Sequence, residues 1–284
     1  MPEINTAICK IIALCFGNEV VEASMLVKHP FWVIVFFLYL KNIFVFFIYI
    51  RQNFEMNIKI LQLLEGAKTA CGLTVIIDVF RAFSTACYAF DIGARKIFPV
   101  GDINLAYRLK EQNPEYILVG ERNEQKPPNF DFGNSPTHLL NENLVKKTIV
   151  HTTSSGTQGI ANATNADEII TGSFVNASAI VRYIQTKQPE NVSLVCMGYA
   201  CEYPTDEDTF CAEFIKNELE GKTSNFDKMV EIMRKGSGAR FFDSDKQDWS
   251  PLTDFKLCLD LNRFDFILKV EKEGELNYLR RINC

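Results

Sequence analysis

The chain has 284 residues, 47% of them hydrophobic and 23% charged, with a net charge of -5 and a sequence pI near 5.4. That composition is long and apolar enough to bury a sizeable core, and it excludes a disordered polyelectrolyte or a general nucleic-acid coat, which needs a basic face. The nine cysteines are scattered without a C-x-x-C pair or a zinc-spaced cluster, and most sit in apolar runs, so they read as reduced thiols of a cytoplasmic protein.

The first distinct segment is Phe31 to Ile50 (FWVIVFFLYLKNIFVFFIYI), long enough to cross a bilayer and interrupted by Lys41 and Asn42. A lysine at that depth costs about 2.5–3.5 kcal/mol on insertion scales. Two readings compete: a membrane anchor, or upstream DNA translated from a start placed ahead of the true one at Met56. The Phe, Ile, Tyr, Asn and Lys bias matches AT-rich codons and favours the second. Residues 1–55 are therefore set apart as an N-terminal extension, and 56–284 as the globular domain, with a division into two subdomains near 150–190 as the alternative. A cytoplasmic location follows, or a membrane-anchored one if 31–50 is a real span.

From Met56 onward, short Val- and Ile-rich runs alternate with segments of helical period, the signature of a mainly parallel sheet covered by helices. The runs predict strands over Ile58–Leu63, Leu73–Val79, Lys96–Val100, Tyr116–Val119, Thr148–Thr152, Glu168–Ile170 and Val192–Met197. Most are too continuously apolar for an exposed face. Helices are predicted over Arg81–Ile92, Ile103–Gln112, Thr157–Ala163, Val175–Thr186 and Glu207–Leu219. Two more follow, near Phe226–Arg234 and Pro251–Leu259, and then a hairpin turning at Glu273-Gly274. The expected class is α/β: a three-layer α/β/α sandwich on a mostly parallel or mixed sheet, with C-terminal helices and a hairpin. The turn-rich loop Gly120–Pro136 is long for a compact domain, and such loops tend to be functional.

In open α/β sheets ligands gather at the C-terminal ends of strands, so polar residues that end apolar runs are the candidates. Asp78 ends VIID and is followed by Arg81; a carboxylate there suits a divalent cation or attack on phosphorus, and an arginine suits phosphate oxygens. The plain alternative is an Asp that caps the next helix. Glu121 and Arg122 repeat that grammar after LVG and lead to Asn134 and Ser135, neutral donors in a fixed turn. Thr153, Ser154, Ser155, Gly156 and Thr157 join a strand to a helix, where main-chain N–H groups and hydroxyls suit an anion. The G-K-[ST] ending of a Walker A loop is absent. Ser173 and Asn176 occupy another strand-to-helix junction, where capping is the commoner role. Glu207 and Asp208 begin a helix, a position that the macrodipole favours for acids, and they offer a second carboxylate for a metal.

In order and spacing, VIIDVFRAFST, VGERNE, FDFGNSP, HTTSSGT, GSFVNASA, VCMG and EDTFCAE resemble the 2-phosphosulfolactate phosphatase family over nearly all of 56–281. The resemblance implies a magnesium-dependent phosphatase of three-layer α/β fold, a phosphate ester of a 2-hydroxy acid as substrate, and a link to coenzyme M biosynthesis. It departs from the family pattern at Ser155, where Asn is usual, and at Glu124, where Gly is usual. Haloacid dehalogenase-like phosphatases place a second Asp two residues after their nucleophile. Phe80 stands at that position here, so their mechanism does not transfer to Asp78. The expectation is Mg²⁺ on Asp78 with Glu207 or Asp208, Arg81 and Arg122 on the substrate's anionic groups, the 153–157 loop on developing charge, and Glu121 as base or supporting ligand. A small-molecule ester is the expected partner, nucleic acid is not, and a homo-oligomer is left open. The rival readings are a non-hydrolysing organic-phosphate or nucleotide-binding protein, and a membrane-tethered interaction protein.

Overall fold

Apolar runs buried on both faces decide the architecture. Along β2 (Gly72–Ile77), Leu73, Val75 and Ile77 pack into one hydrophobic cluster while Ile76 packs into another on the opposite face, as the period-two alternation of a strand requires. β7 (Asn191–Cys196) divides in the same way, with Leu194 on one side and Val195 on the other. A strand covered on both sides needs a layer of helices on each, and the result is a three-layer α/β/α sandwich. The computed structural model describes residues 56–284, so the apolar stretch 31–50 lies outside the described residues. Among those described, no helix is long and apolar enough to cross a membrane, and the cysteines are all free thiols.

The elements run β1 (Asn57–Gln62), α1 (Leu63–Thr69), β2, α2 (Ala82–Asp91), β3 (Lys96–Pro99), α3 (Ile103–Gln112), β4 (Ile117–Gly120), α4 (Pro136–Leu139), β5 (Thr148–Thr152), α5 (Gly156–Asn162), β6 (Ala166–Gly172), α6 (Ala177–Lys187), β7, α7 (Asp206–Leu219), α8 (Phe226–Lys235), α9 (Leu252–Cys258), β8 (Phe266–Glu273) and β9 (Leu276–Asn283), with short 3-10 turns at Phe174–Asn176, Ser237–Phe242 and Ser244–Lys246. All seven predicted strands are present within two residues at either end. The short α1 and α4 and the 3-10 turns were not predicted, because a turn or two of helix carries no readable periodicity.

The nine strands form one sheet in the order β1-β7-β2-β6-β8-β9-β3-β5-β4. Two parallel blocks, β1-β7-β2-β6 and β3-β5-β4, are joined by the antiparallel hairpin β8-β9. The predicted hairpin thus exists, with Gly274 at φ +60° in its turn, but it lies in the middle of the sheet rather than at an edge. Its bonds to the blocks are few: Ile170 and Thr171 pair with Lys269 and Leu268, and Ile97 pairs with Leu279. Counted along the ladder, the second block runs opposite to the first. Twist of roughly 20–25° per strand step turns β3 by about 60–75° relative to β6 over the three steps between them, and the ends of β2, β7, β4 and β5 meet around one cleft.

Candidate active site

Asp78 follows β2 at the point where the chain turns into α2, and it is 5% exposed. Its Oδ1 accepts from the Ala82 N–H at 3.0 Å and its Oδ2 from the Gly156 N–H at 2.8 Å. The carboxylate therefore ties the start of α2 to the start of α5. Burial pushes its pKa up to about 6, with the neighbouring Glu121 adding to the shift and the N–H donors opposing it. A Cβ on Gly156 would sit 2.8 Å from both Asp78 Oδ2 and the Ala82 Cβ. Gly156→Ala is accordingly expected to cost about 1–3 kcal/mol as an overpacked site and to lower turnover by displacing Asp78. Urea melts and kinetics on the same preparation check both effects.

Glu121, at the end of β4, is gripped by the same loop. Its Oε1 accepts from the Ser154 N–H at 2.6 Å, and its Oε2 accepts from the Ser154 hydroxyl at 3.2 Å and from the Glu124 N–H at 3.0 Å. The segment expected to cradle a phosphate is thus already occupied by the chain's own carboxylates. Its N–H groups at 153, 154 and 156 go to Thr157 Oγ1, Glu121 and Asp78. Thr153 and Thr157 are buried and bond one another, their hydroxyls turned inward. Ser154 and Ser155 line the cleft, and Ser155, although it stands at the N-cap of α5, makes no side-chain capping bond.

The cleft, about 340 Å³, is lined by Asp78, Phe80, Arg81, Glu121, Asn123, Glu124, Asn134, Ser154, Ser155, Gly198, Tyr199, Ala200, Thr205, Glu207, Gly236, Ser237 and Arg240. Of the residues singled out from the sequence, it unites Asp78, Arg81, Glu121, Asn134, Ser154, Ser155 and Glu207. Arg122 is not among its walls. Its guanidinium donates to the carbonyls of Glu121 and Gly101 and to Thr152 Oγ1, and so it braces the ends of β4 and β5. Ser173 and Asn176 are also elsewhere: they form a capping box, with Ser173 against Ser84 and Asn176 donating to the Phe266 carbonyl. Ser135 caps α4 and donates to Asp254 at 2.9 Å. The last two sites are cases in which the capping explanation describes the side chains.

The acids at the start of α7 separate into two roles. Asp208 accepts from the Val79 N–H at 2.8 Å and the Gly198 N–H at 2.9 Å, which joins the turns after β2 and β7 behind the cleft wall. Burial, with Glu207 and Asp78 close by, raises its pKa well above the ordinary range. Glu207 faces the cleft. Its Oε2 is buried without a hydrogen-bond partner among the described residues, and burial pushes its pKa up to about 7. Among the described residues no group of three or more His, Cys, Asp or Glu side chains forms a ready-made metal cage.

Arg81 lines the cleft, yet its charge is largely spoken for. Nη1 donates to Asp254 Oδ2 at 2.7 Å and to the Trp249 carbonyl at 2.6 Å, in a pair that is almost completely buried. Asn134 presents a cleft-lining amide whose Oδ1 lies 3.1 Å from Nε2 of the buried His151, whose pKa burial lowers to about 4, so the ring is neutral near pH 7 and donates. Sequence reading missed Arg240, which enters from the 3-10 turn Ser237–Phe242. Its Nη1 donates to Glu124 Oε1 at 2.9 Å and its Nη2 to the Phe80 carbonyl at 2.9 Å, while its Nε is buried without a partner among the described residues. No local pattern marks it. Asp254 was missed as well, because an acid in the first turn of a helix reads as a macrodipole residue.

Comparison with known proteins agrees in extent with this geometry. The family model for 2-phosphosulpholactate phosphatase matches residues 58–273. The probable 2-phosphosulfolactate phosphatase of Bacillus subtilis is 30% identical over 215 residues, covering 74% of this chain and 92% of that protein. The Caldanaerobacter subterraneus protein of the same name is 31% identical over 215 residues, covering 69% and 87%. That of Thermotoga petrophila is 45% identical over a shorter 128 residues, covering 45% and 54%. With the match spanning every strand that contributes to the cleft, the chain belongs to the 2-phosphosulpholactate phosphatase family.

Proposed function

We propose that this chain is a phosphoric monoester hydrolase acting on phosphate esters of small acidic 2-hydroxy acids, 2-phosphosulfolactate among them, with Mg²⁺ held by Asp78 and Glu207. One observation carries the reading: four carboxylates, Asp78, Glu121, Glu124 and Glu207, share a cleft with two guanidiniums, one of them already neutralised by Asp254. A cleft with that surplus of negative charge repels a phosphate ester unless a cation stands between them. The donor set suits magnesium, which takes one or two carboxylates and completes its octahedron with water and substrate phosphate rather than a protein cage. The orphaned Glu207 Oε2 has the chemistry of such a ligand. Bound there, Mg²⁺ would neutralise phosphate oxygens as a Lewis acid.

The protein's own groups supply the rest. Glu121, fixed by the Ser154 N–H and hydroxyl, is placed to orient a water and take its proton. Ser155 and Asn134 offer neutral donors to phosphate oxygens, and the buried neutral His151 fixes the Asn134 amide. Arg240 offers the positive charge not buried with Asp254. The experiment is a panel of acidic and neutral phosphate monoesters assayed for phosphate release with Mg²⁺ and with a chelator. Magnesium-dependent release, greatest for the 2-hydroxy acid esters, is the expected result. Binding of the same esters by calorimetry without release would make the protein an organic-phosphate binder.

The cation has a readout that needs no turnover. Asp78 and Glu207 hold their protons more tightly in the folded chain, with pKa values of about 6 and about 7 against 3.8 and 4.5. In metal-free protein they therefore add stability below about pH 4, and this is lost as the pH rises through about 7. Mg²⁺ competes with those protons. Millimolar Mg²⁺ is expected to raise Tm at pH 7.5 and to leave it nearly unchanged at pH 5; equal shifts at both values would remove these two acids from the metal site.

A further inference from the structure

The Arg240–Glu124 pair crosses a boundary between two cavities. Glu124 lines the catalytic cleft and also a neighbouring cavity of about 360 Å³, whose walls include Lys126, His138 and Trp249. The pair is only partly covered, with side chains 15% and 18% exposed, so it lies within reach of a ligand. Glu124 is presented by a tight turn in which Asn123 and Glu124 both have positive φ, 52° and 68°, and in which Arg122 and Gln125 bond across the turn. Its N–H is pinned to Glu121, so the backbone is fixed, and the carboxylate, held on Arg240, can leave only by rotation of the side chain. On Arg240, one fork nitrogen takes Glu124, the other holds the Phe80 carbonyl, and Nε has no partner among the described residues.

A guanidinium already facing a carboxylate in the free protein is a preformed carboxylate receptor with an internal occupant. We infer that Arg240 receives the second anionic group of the ester, the carboxylate beside the phosphorylated carbon, and that Glu124 is a latch which this carboxylate displaces toward Lys126 in the adjoining cavity. The inference rests on the phosphatase reading for the identity of the substrate's other end, since the phosphate is assigned to the Asp78, Ser155 and Asn134 side. Selectivity follows from the exchange. A neutral substituent leaves Glu124 on Arg240 and gains nothing there, whereas a carboxylate replaces one ion pair by another and sends Glu124 to a second cation.

Phosphonoacetate and phosphonoacetamide test this, because they differ in that one group and are not hydrolysed. Their dissociation constants are measured by calorimetry in the presence of Mg²⁺. Glu124→Gln, which keeps the turn and removes the competing charge, is expected to tighten phosphonoacetate about tenfold relative to the amide, the scale of one charge-assisted hydrogen bond. Arg240→Lys should weaken phosphonoacetate selectively, and Lys126→Gln should weaken it in the native background but not together with Glu124→Gln. An unchanged ratio in Glu124→Gln overturns the latch. Equal weakening of both probes by Arg240→Lys overturns the receptor, because Arg240 would then hold the phosphorus end; failure of phosphonoacetate to bind any variant overturns both, whereas binding of phosphonoacetate with none of the amide supports the receptor. Phosphate release from an acidic ester is assayed alongside. Its absence beside a shifted ratio overturns the hydrolytic reading and leaves this one standing.

Discussion

Asp78→Asn is expected to lower kcat/KM by about 10²–10⁴, the range lost with a positioned acid, base or metal-binding carboxylate. Both oxygens of Asp78 accept main-chain N–H groups, from Ala82 and Gly156. An asparagine has one acceptor and one amide, and the amide must face a donor, which costs about 1–3 kcal/mol for the unsatisfied group. That loss is smaller than the stability of an ordinary domain, about 5–15 kcal/mol, so the variant should remain folded while the cleft loses a negative charge. With the carboxylate raised to about 6, the native pH profile of kcat/KM is expected to rise with pH through that value, and the variant should lose this limb. Turnover within threefold of native, on protein with a native melt, would remove Asp78 from the chemistry.

The largest expected effect on stability lies behind the cleft. Asp254 is fully buried and accepts from Arg81 at 2.7 Å, from the Ser135 hydroxyl at 2.9 Å and from the Thr137 N–H at 2.9 Å. Asp254→Ala leaves the Arg81 guanidinium buried with only the Trp249 carbonyl for company, and an uncompensated buried charge costs about 3–5 kcal/mol. Asp254→Asn, which keeps an acceptor for Ser135 and Thr137, should lose less. The double variant Arg81→Met with Asp254→Leu should lose less than the sum of the two single changes, because desolvation of the pair disappears with its attraction. Urea denaturation of the four proteins gives the coupling directly, and additive losses would show that the two side chains do not act as a pair.

How far the sequence reveals this molecule depends on the range of the interaction. Strands β2 and β7 are legible because burial on both faces leaves an unbroken apolar run, and Asp78 and Glu121 are legible because each is the first polar residue after such a run. The choice between Glu207 and Asp208 is not legible. Neighbours on a helix point roughly 100° apart, and only the packing of α7 decides that Glu207 faces the cleft while Asp208 ties the turns behind it. Arg240 contacts the Phe80 carbonyl across 160 residues of sequence from a 3-10 turn with no period, so nothing local distinguishes it from a surface arginine. The 153–157 loop illustrates a different limit. Its composition suggests a cradle for a phosphate, but the N–H groups of Ser154 and Gly156 go to the chain's own Glu121 and Asp78, partners that no local pattern could name.

The central place of the β8-β9 hairpin has a consequence for how the molecule is born. On a ribosome, every strand from β1 to β7 emerges before the two ribbons that join their halves, so for that interval β6 and β3 each present a naked edge. Synthesis of residues 266–283 zips the halves together, and the slow, long-range closure falls at the end. A nascent chain stalled before Phe266 would consist of two adhesive fragments in search of a bridge.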